Sequence, residues 1–126
     1  MITRNSAHTR LPASGDLSGA EGKLAKLNAD GTVSVVTAAA DATALIVEPS
    51  HADVPDPAAD VIILGAFSGT AHFLASGPVT PGARLAAQAD GTVKAAATGT
   101  IVGIAIESAA AGELFEGAPT TPVTKA

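Results

Sequence analysis

The chain has three histidines, His8, His51 and His72, and no two of them stand at the i, i+4 spacing that lets one helix face present a metal pair. His51 shares a short stretch with Asp53, Asp56 and Asp60, a grouping able to hold a cation weakly, although a solvated acidic loop explains the same residues more simply. Asn28-Ala29-Asp30-Gly31 invites comparison with a calcium loop. With Gly31 as the loop glycine, however, the first ligand position is Lys26 and the last is Thr37, so both anchoring carboxylates are missing. Ser68, in Ala66-Phe67-Ser68-Gly69-Thr70, lacks the flanking glycines of a nucleophile elbow and reads as a turn residue. Neither glycine-rich phosphate motif occurs. The chain contains no cysteine, so it offers neither a thiolate nucleophile nor a disulfide. No catalytic, cofactor-binding or metal-ligating residue is therefore assigned and no enzyme activity is expected; His72 and Asp90 come nearest to an acid–base pair.

The elements that would position such residues announce themselves by repetition. Ala29-Asp30-Gly31-Thr32-Val33 returns letter for letter as Ala89-Asp90-Gly91-Thr92-Val93. Each copy follows a similar run, Gly22 to Asn28 in the first and Gly82 to Gln88 in the second. Upstream, Ser14-Gly15-Asp16-Leu17 is answered by Ser76-Gly77-Pro78-Val79. Downstream, Ala44 to Glu48 is answered by Gly103 to Glu107, slipped by one residue. Asp-Gly between strand-forming runs signals a hairpin, and a type I′ turn, with positive φ at both central positions, is expected at Asp30-Gly31 and at Asp90-Gly91.

At 126 residues the chain is one domain on length. Its hydrophobic fraction is 47%, but much of that is alanine, and aromatics make up only 2%, supplied by Phe67, Phe73 and Phe115. Burial stabilises by about 25 cal/mol per Å² of apolar surface and alanine offers little, so a thin monomer core and a shared oligomeric one are expected. A net charge of −5 with only 7 scattered Lys and Arg argues against nucleic acid as a partner. No apolar run approaches the roughly 20 residues needed to span a bilayer, and no signal peptide is recognisable, so synthesis in the cytoplasm without a membrane partner is expected.

Residues 1–14 carry Arg4, His8 and Arg10, no acid and no periodicity, and read as an N-terminal arm. A single β domain is expected over 15–118, with repeat-like halves at about 15–48 and 76–116. Between the halves, 49–60 is an acidic loop whose three prolines exclude helix and central strand. The five acids from Asp41 to Asp60, with no Lys or Arg among them, account for the net charge, because the other seven balance the seven bases. Val61 to Phe67 reads as a strand buried on both faces. Residues 119–126 are an extended, mobile tail. The expected fold is mainly β with little helix: a compact β-barrel or β-clip (tulip-like) domain built from two similar hairpin units.

From Phe67 to Ala118, a little under half the chain, the sequence resembles the head-decoration, or capsid cement, proteins of tailed bacteriophages, in a small alanine- and glycine-rich family long known only as a domain of unknown function. The resemblance rests on Val79-Thr80-Pro81-Gly82-Ala83-Arg84-Leu85, on Asp90-Gly91-Thr92-Val93, and on the run from Gly99 to Glu113 with Gly103, Glu107, Gly112 and Glu113 in place. It implies a structural virion protein on the outer capsid surface, a homotrimer whose partner is the major capsid protein and whose role is head stabilisation. In that setting Arg4, His8, Arg10 and Leu11 become candidate capsid contacts, and Asp30, Gly31, Asp90 and Gly91 serve only as turn formers. The alternative is a non-catalytic binding or carrier module of the biotinyl or lipoyl kind, which shares the Val-x-x-Gly-x-x-Leu turn. A carrier displays a modifiable lysine at a hairpin tip, whereas both tips here read Asp-Gly.

Overall fold

The computed structural model describes residues 8–15, 17, 19–48, 58–65 and 70–125. They form ten strands: β1 His8–Pro12, β2 Leu24–Leu27, β3 Val33–Val35, β4 Ala44–Glu48, β5 Ala58–Ile63, β6 Ala71–Leu74, β7 Arg84–Ala87, β8 Val93–Ala95, β9 Gly99–Ala105 and β10 Leu114–Lys125. A single 3₁₀ turn at Ala39–Asp41 is the only helical element among the described residues. The protein is mainly β, as expected. Its strands form two antiparallel five-stranded sheets, ordered β1-β5-β4-β2-β3 and β6-β10-β9-β7-β8. Numbered within its own half, each sheet has the same order, so the fold consists of one unit made twice.

Register carries the equivalence down to single residues. Ala25↔Val35 and Leu27↔Val33 in the first sheet answer Leu85↔Ala95 and Ala87↔Val93 in the second. The one-residue slip is real: Leu24 faces Leu45, whereas Arg84 faces Ile104. In each half the end of the first strand bridges the third, at Ala13↔Val33 and Ala75↔Val93, bringing the outer edges of each sheet together at one point. The repeat is also longer than the matching letters suggest, since Arg10↔Asp60 and Leu11↔Ala59 answer His72↔Glu116 and Phe73↔Phe115.

The hairpin turns differ from the type I′ expectation. Gly31 and Gly91 have φ of +87° and +89°, but no described non-glycine residue has positive φ, so Asp30 and Asp90 do not. The Gly31 amide donates to the Asn28 carbonyl and the Asn28 amide to the Thr32 carbonyl, leaving Ala29, Asp30 and Gly31 as the loop. That is the three-residue hairpin in which a β-turn is followed by a left-handed glycine and a bulge. The aspartate prefers it because its carboxylate can then accept from the backbone two residues on.

Three further expectations are revised. Residues 8–12 of the arm are strand β1, held antiparallel against β5. The tail is strand as well: β10 pairs with β9 from Gly117↔Ala105 through Lys125↔Gly99, with the register shifting between Pro119 and Val123. That bulge absorbs Thr120, Thr121 and Pro122 and lets a proline sit in a strand without breaking the ladder. The stretch expected as an acidic loop yields Ala58, Ala59 and Asp60 to β5, which ends at Ile63, with Leu64 and Gly65 in a turn. Residues 49–57, with His51, and 66–69, with Phe67 and Ser68, lie outside the described set, as does Arg4.

Two clusters make the core. The first half encloses Ala13, Leu17, Ala25, Val33, Ala44, Ile46, Ala59 and Val61. The second encloses Phe73, Ala75, Val79, Leu85, Val93, Ala105 and Phe115, and is continuous with Leu24, Val36, Leu45 and Leu64 from the other face of the first sheet. The first sheet is thus buried on both faces, so the halves are one body with no solvent layer between those residues.

Candidate interaction surfaces

The two hairpin tips are chemically the same. In each, the aspartate Oδ1 accepts from the threonine hydroxyl two residues on at 2.6 Å and from that threonine's amide at 3.1 Å: Thr32 on Asp30, Thr92 on Asp90. The threonine hydroxyl, and after it the amide, stabilises the ionised form and lowers both carboxyl pKa values; Lys23 adds a smaller attraction at Asp90. An aspartate so engaged shapes a turn and is no free acid or base. The tips differ in surroundings, for Gly31 is exposed and Gly91 is buried.

Of the candidate capsid contacts, His8 stands on β1 opposite Ile62 and Arg10 opposite Asp60. Arg10 Nη1 lies 3.2 Å from Asp60 Oδ1, with side chains 64% and 33% exposed. Leu11 is half-buried and packs against the first core cluster. The structure brings His8, Arg10 and Leu11 together on an edge strand.

A cleft of about 220 Å³ lies where the halves meet and is lined by Glu21, Ile46, Val47, Thr70, His72 and Glu116. Here the sequence reading missed a grouping, because Glu21, His72 and Glu116 are far apart in the chain and meet only through the β6–β10 pairing and the loop before β2. The Thr70 hydroxyl donates to Glu116 Oε2 at 3.0 Å, and the Glu116 amide donates to Glu107 Oε1 at 2.7 Å. No group of three or more His, Asp or Glu among the described residues is placed to hold a metal ion. His72 and Asp90 belong to separate features, the cleft and a hairpin tip. None of Lys23, Lys26 and Lys94 belongs to the loops at Ala29–Gly31 and Ala89–Gly91, and Lys23 packs against Gly91 from the other half, so neither tip carries a lysine of its own as a carrier's would.

Large apolar side chains remain open to solvent on the second half: Ile104, Ile106, Leu114 and Val123, each 42% to 50% exposed. In the first half Leu45, the equivalent of Ile104, is fully buried, while Leu27 is 48% exposed. Among the described residues no helix is long and apolar enough to cross a membrane.

The chain matches no protein-family model and no curated protein. Membership of the decoration-protein family that its glycine and alanine pattern resembles is therefore without support from a family match. Among solved structures it is similar to the N base of head fiber gp8.5 in bacteriophage phi29, at a TM-score of 0.58 and 17% sequence identity, over 92% of this chain and 96% of that one. At that identity the likeness is one of fold, and it extends over both halves.

Proposed function

We propose that the protein is a structural component of a bacteriophage virion that binds the outside of the assembled capsid as a homotrimer and stabilises contacts between major capsid protein subunits, without catalysis and without a cofactor. The observation that carries this reading is the likeness in fold, over nearly the whole of both chains, to the base of a phage head fiber. The surface supports it too. A half that leaves Ile104, Ile106, Leu114 and Val123 open has apolar area to share with a partner. A capsid lattice converts such weak contacts into firm attachment, because a trimer that engages several subunits at once gains effective concentration. The shell contact falls to edge strand β1 and the residues before it, with Arg4, His8, Arg10 and Leu11, since an edge strand can be extended by a strand from another chain. Synthesis is in the host cytoplasm and the final location is the outer capsid surface.

The test is sedimentation with expanded empty heads built from the major capsid protein of the same phage. The protein is expected to pellet with them to saturation and to raise their resistance to heat. Protein left in the supernatant at every ratio would overturn the reading.

A further inference from the structure

Within the chain, the second half's hairpin tip is seated on the first half. The Leu24 amide donates to the Gly91 carbonyl at 2.8 Å. A Cβ added at Gly91 would come within 2.9 Å of Val35 Cγ1 and 3.1 Å of Lys23 Cβ, so only glycine lets the tip approach so closely. The residues that meet the tip, its socket, are therefore Lys23, Leu24 and Val35, with Val36 next in the chain, at the start of β2 and the end of β3.

The same socket exists in the second half and is open. By the strand register its residues are Ala83, Arg84, Ala95 and Ala96. With Ala97 they line a groove of about 310 Å³. The matching plug is also unused, because Gly31 is exposed and a Cβ there would meet nothing within 4 Å. The two plugs carry the same letters: Ala29 to Val33 is identical to Ala89 to Val93, the plug that the chain does seat.

We propose that the Asp30–Gly31 tip of one copy docks into the Ala83, Arg84, Ala95–Ala97 groove of a second copy, repeating between chains the contact that joins the halves within one. The differences between the sockets favour this. Alanines at 95 and 96, where the first half has Val35 and Val36, leave the groove roomier. Arg84, exposed where Leu24 is buried, offers Asp30 of the incoming tip the positive partner that Lys23 offers Asp90 within the chain. One bond is not repeated: the Leu74 amide donates to the Gly22 carbonyl between halves, and Pro12, the equivalent of Leu74, has no N–H to give Gly82. The contact between copies is accordingly the weaker of the two and forms with concentration.

Each copy gives one tip and receives one, which makes the interface heterologous; in the homotrimer of the proposed function it closes as a ring. Three copies place six halves around the axis. The inference rests on the self-association part of the proposed function and is independent of capsid binding.

The chain has no cysteine, so an engineered pair reports directly. An Ala29→Cys/Ala95→Cys variant, which keeps the tip glycine, oxidised and run without reductant, is expected to form disulfide-linked species ending at three chains, and neither single variant goes beyond two. In parallel, Ala95→Arg, at an exposed strand position, is expected to raise the concentration needed for half-assembly by about tenfold or more, measured by light scattering against the 12.2 kDa monomer. Oligomers that persist undiminished in Ala95→Arg and fail to crosslink would overturn this interface and leave self-association standing. An unsubstituted protein that stays monomeric at the highest soluble concentration would overturn both.

Discussion

Phe73 lies against Gly117: a Cβ added at the glycine would sit 3.0 Å from two atoms of the phenyl ring. Gly103 meets the same ring, at 3.0 Å from its Cζ. At the equivalent places in the first half stand Leu11 for Phe73, Ala59 for Phe115, Val61 for Gly117 and Ala44 for Gly103. One half thus fills its interior with two stacked phenylalanines, centroids 6.0 Å apart, over two glycines, and the other with leucine and alanine over valine and alanine. Total volume is conserved while its distribution is exchanged, which is how one backbone keeps a close-packed interior under two sequences.

Overpacking at this point should be costly and reversible. Gly117→Ala is expected to destabilise by about 1–3 kcal/mol, since the ring must move and Ile104 O lies 3.1 Å away on the other side. Phe73→Leu, which reproduces the first half's pairing, should recover part of that loss. The comparison is a double-mutant cycle by urea unfolding, in which strict additivity of the two changes would show that the residues do not compete for space.

Strand β10 leads to a second expectation. Truncation after Ala118 deletes Pro119↔Gly103, Val123↔Ile101, Thr124↔Thr100 and Lys125↔Gly99 and bares one side of β9. At the usual net worth of a backbone hydrogen bond, the truncated chain should lose on the order of 1–3 kcal/mol in chemical denaturation. A chain truncated there with unchanged stability would mean that these residues form a tail and not a strand.

The strands that flank the repeated Ala-Asp-Gly-Thr-Val letters, β2, β3, β7 and β8, could be read directly from their place around that turn, as could the slip of β4 against β9. The other members of each sheet could not. β1 and β6 share no letters, and neither do Asp60 and Glu116, because their equivalence resides in cross-strand register and not in identity. Pro119 and Pro122 argued against strand, and only the bulge between Pro119 and Val123 makes them tolerable. The turn type was misread because Asp-Gly suits two hairpin geometries that differ in the φ of the aspartate. As for the site, the letters that mattered were departures from the repeat, Leu24 to Arg84 and Val35 to Ala95. Such differences acquire meaning only once one socket is seen filled.

The Arg10–Asp60 pair should matter little to stability. Arg10 is 64% exposed, so its attraction to Asp60 is screened, and Arg10→Ala is expected to cost less than about 1 kcal/mol. That makes the variant a clean probe of the shell contact: thermal unfolding stays close to the original while binding to heads weakens. A large loss of stability would instead place Arg10 among the residues that hold β1 in its sheet.

Acid should unfold the protein partly through its two hairpin tips. Asp30 and Asp90 have folded pKa values lowered from 3.8, first by the threonine hydroxyl and then by its amide. As pH falls, the unfolded chain therefore takes up these protons before the folded one does. The stabilisation is complete above the unfolded pKa and is lost as pH drops through the folded value. Asn at both positions keeps an oxygen able to accept from Thr32 and Thr92 but cannot titrate. Asp30→Asn/Asp90→Asn is thus expected to start less stable at pH 6 and to lose less on going to pH 3, so that the two urea midpoints converge. Parallel decline of both proteins across that interval would show that the acid sensitivity arises elsewhere, among the acids that the tips do not hold.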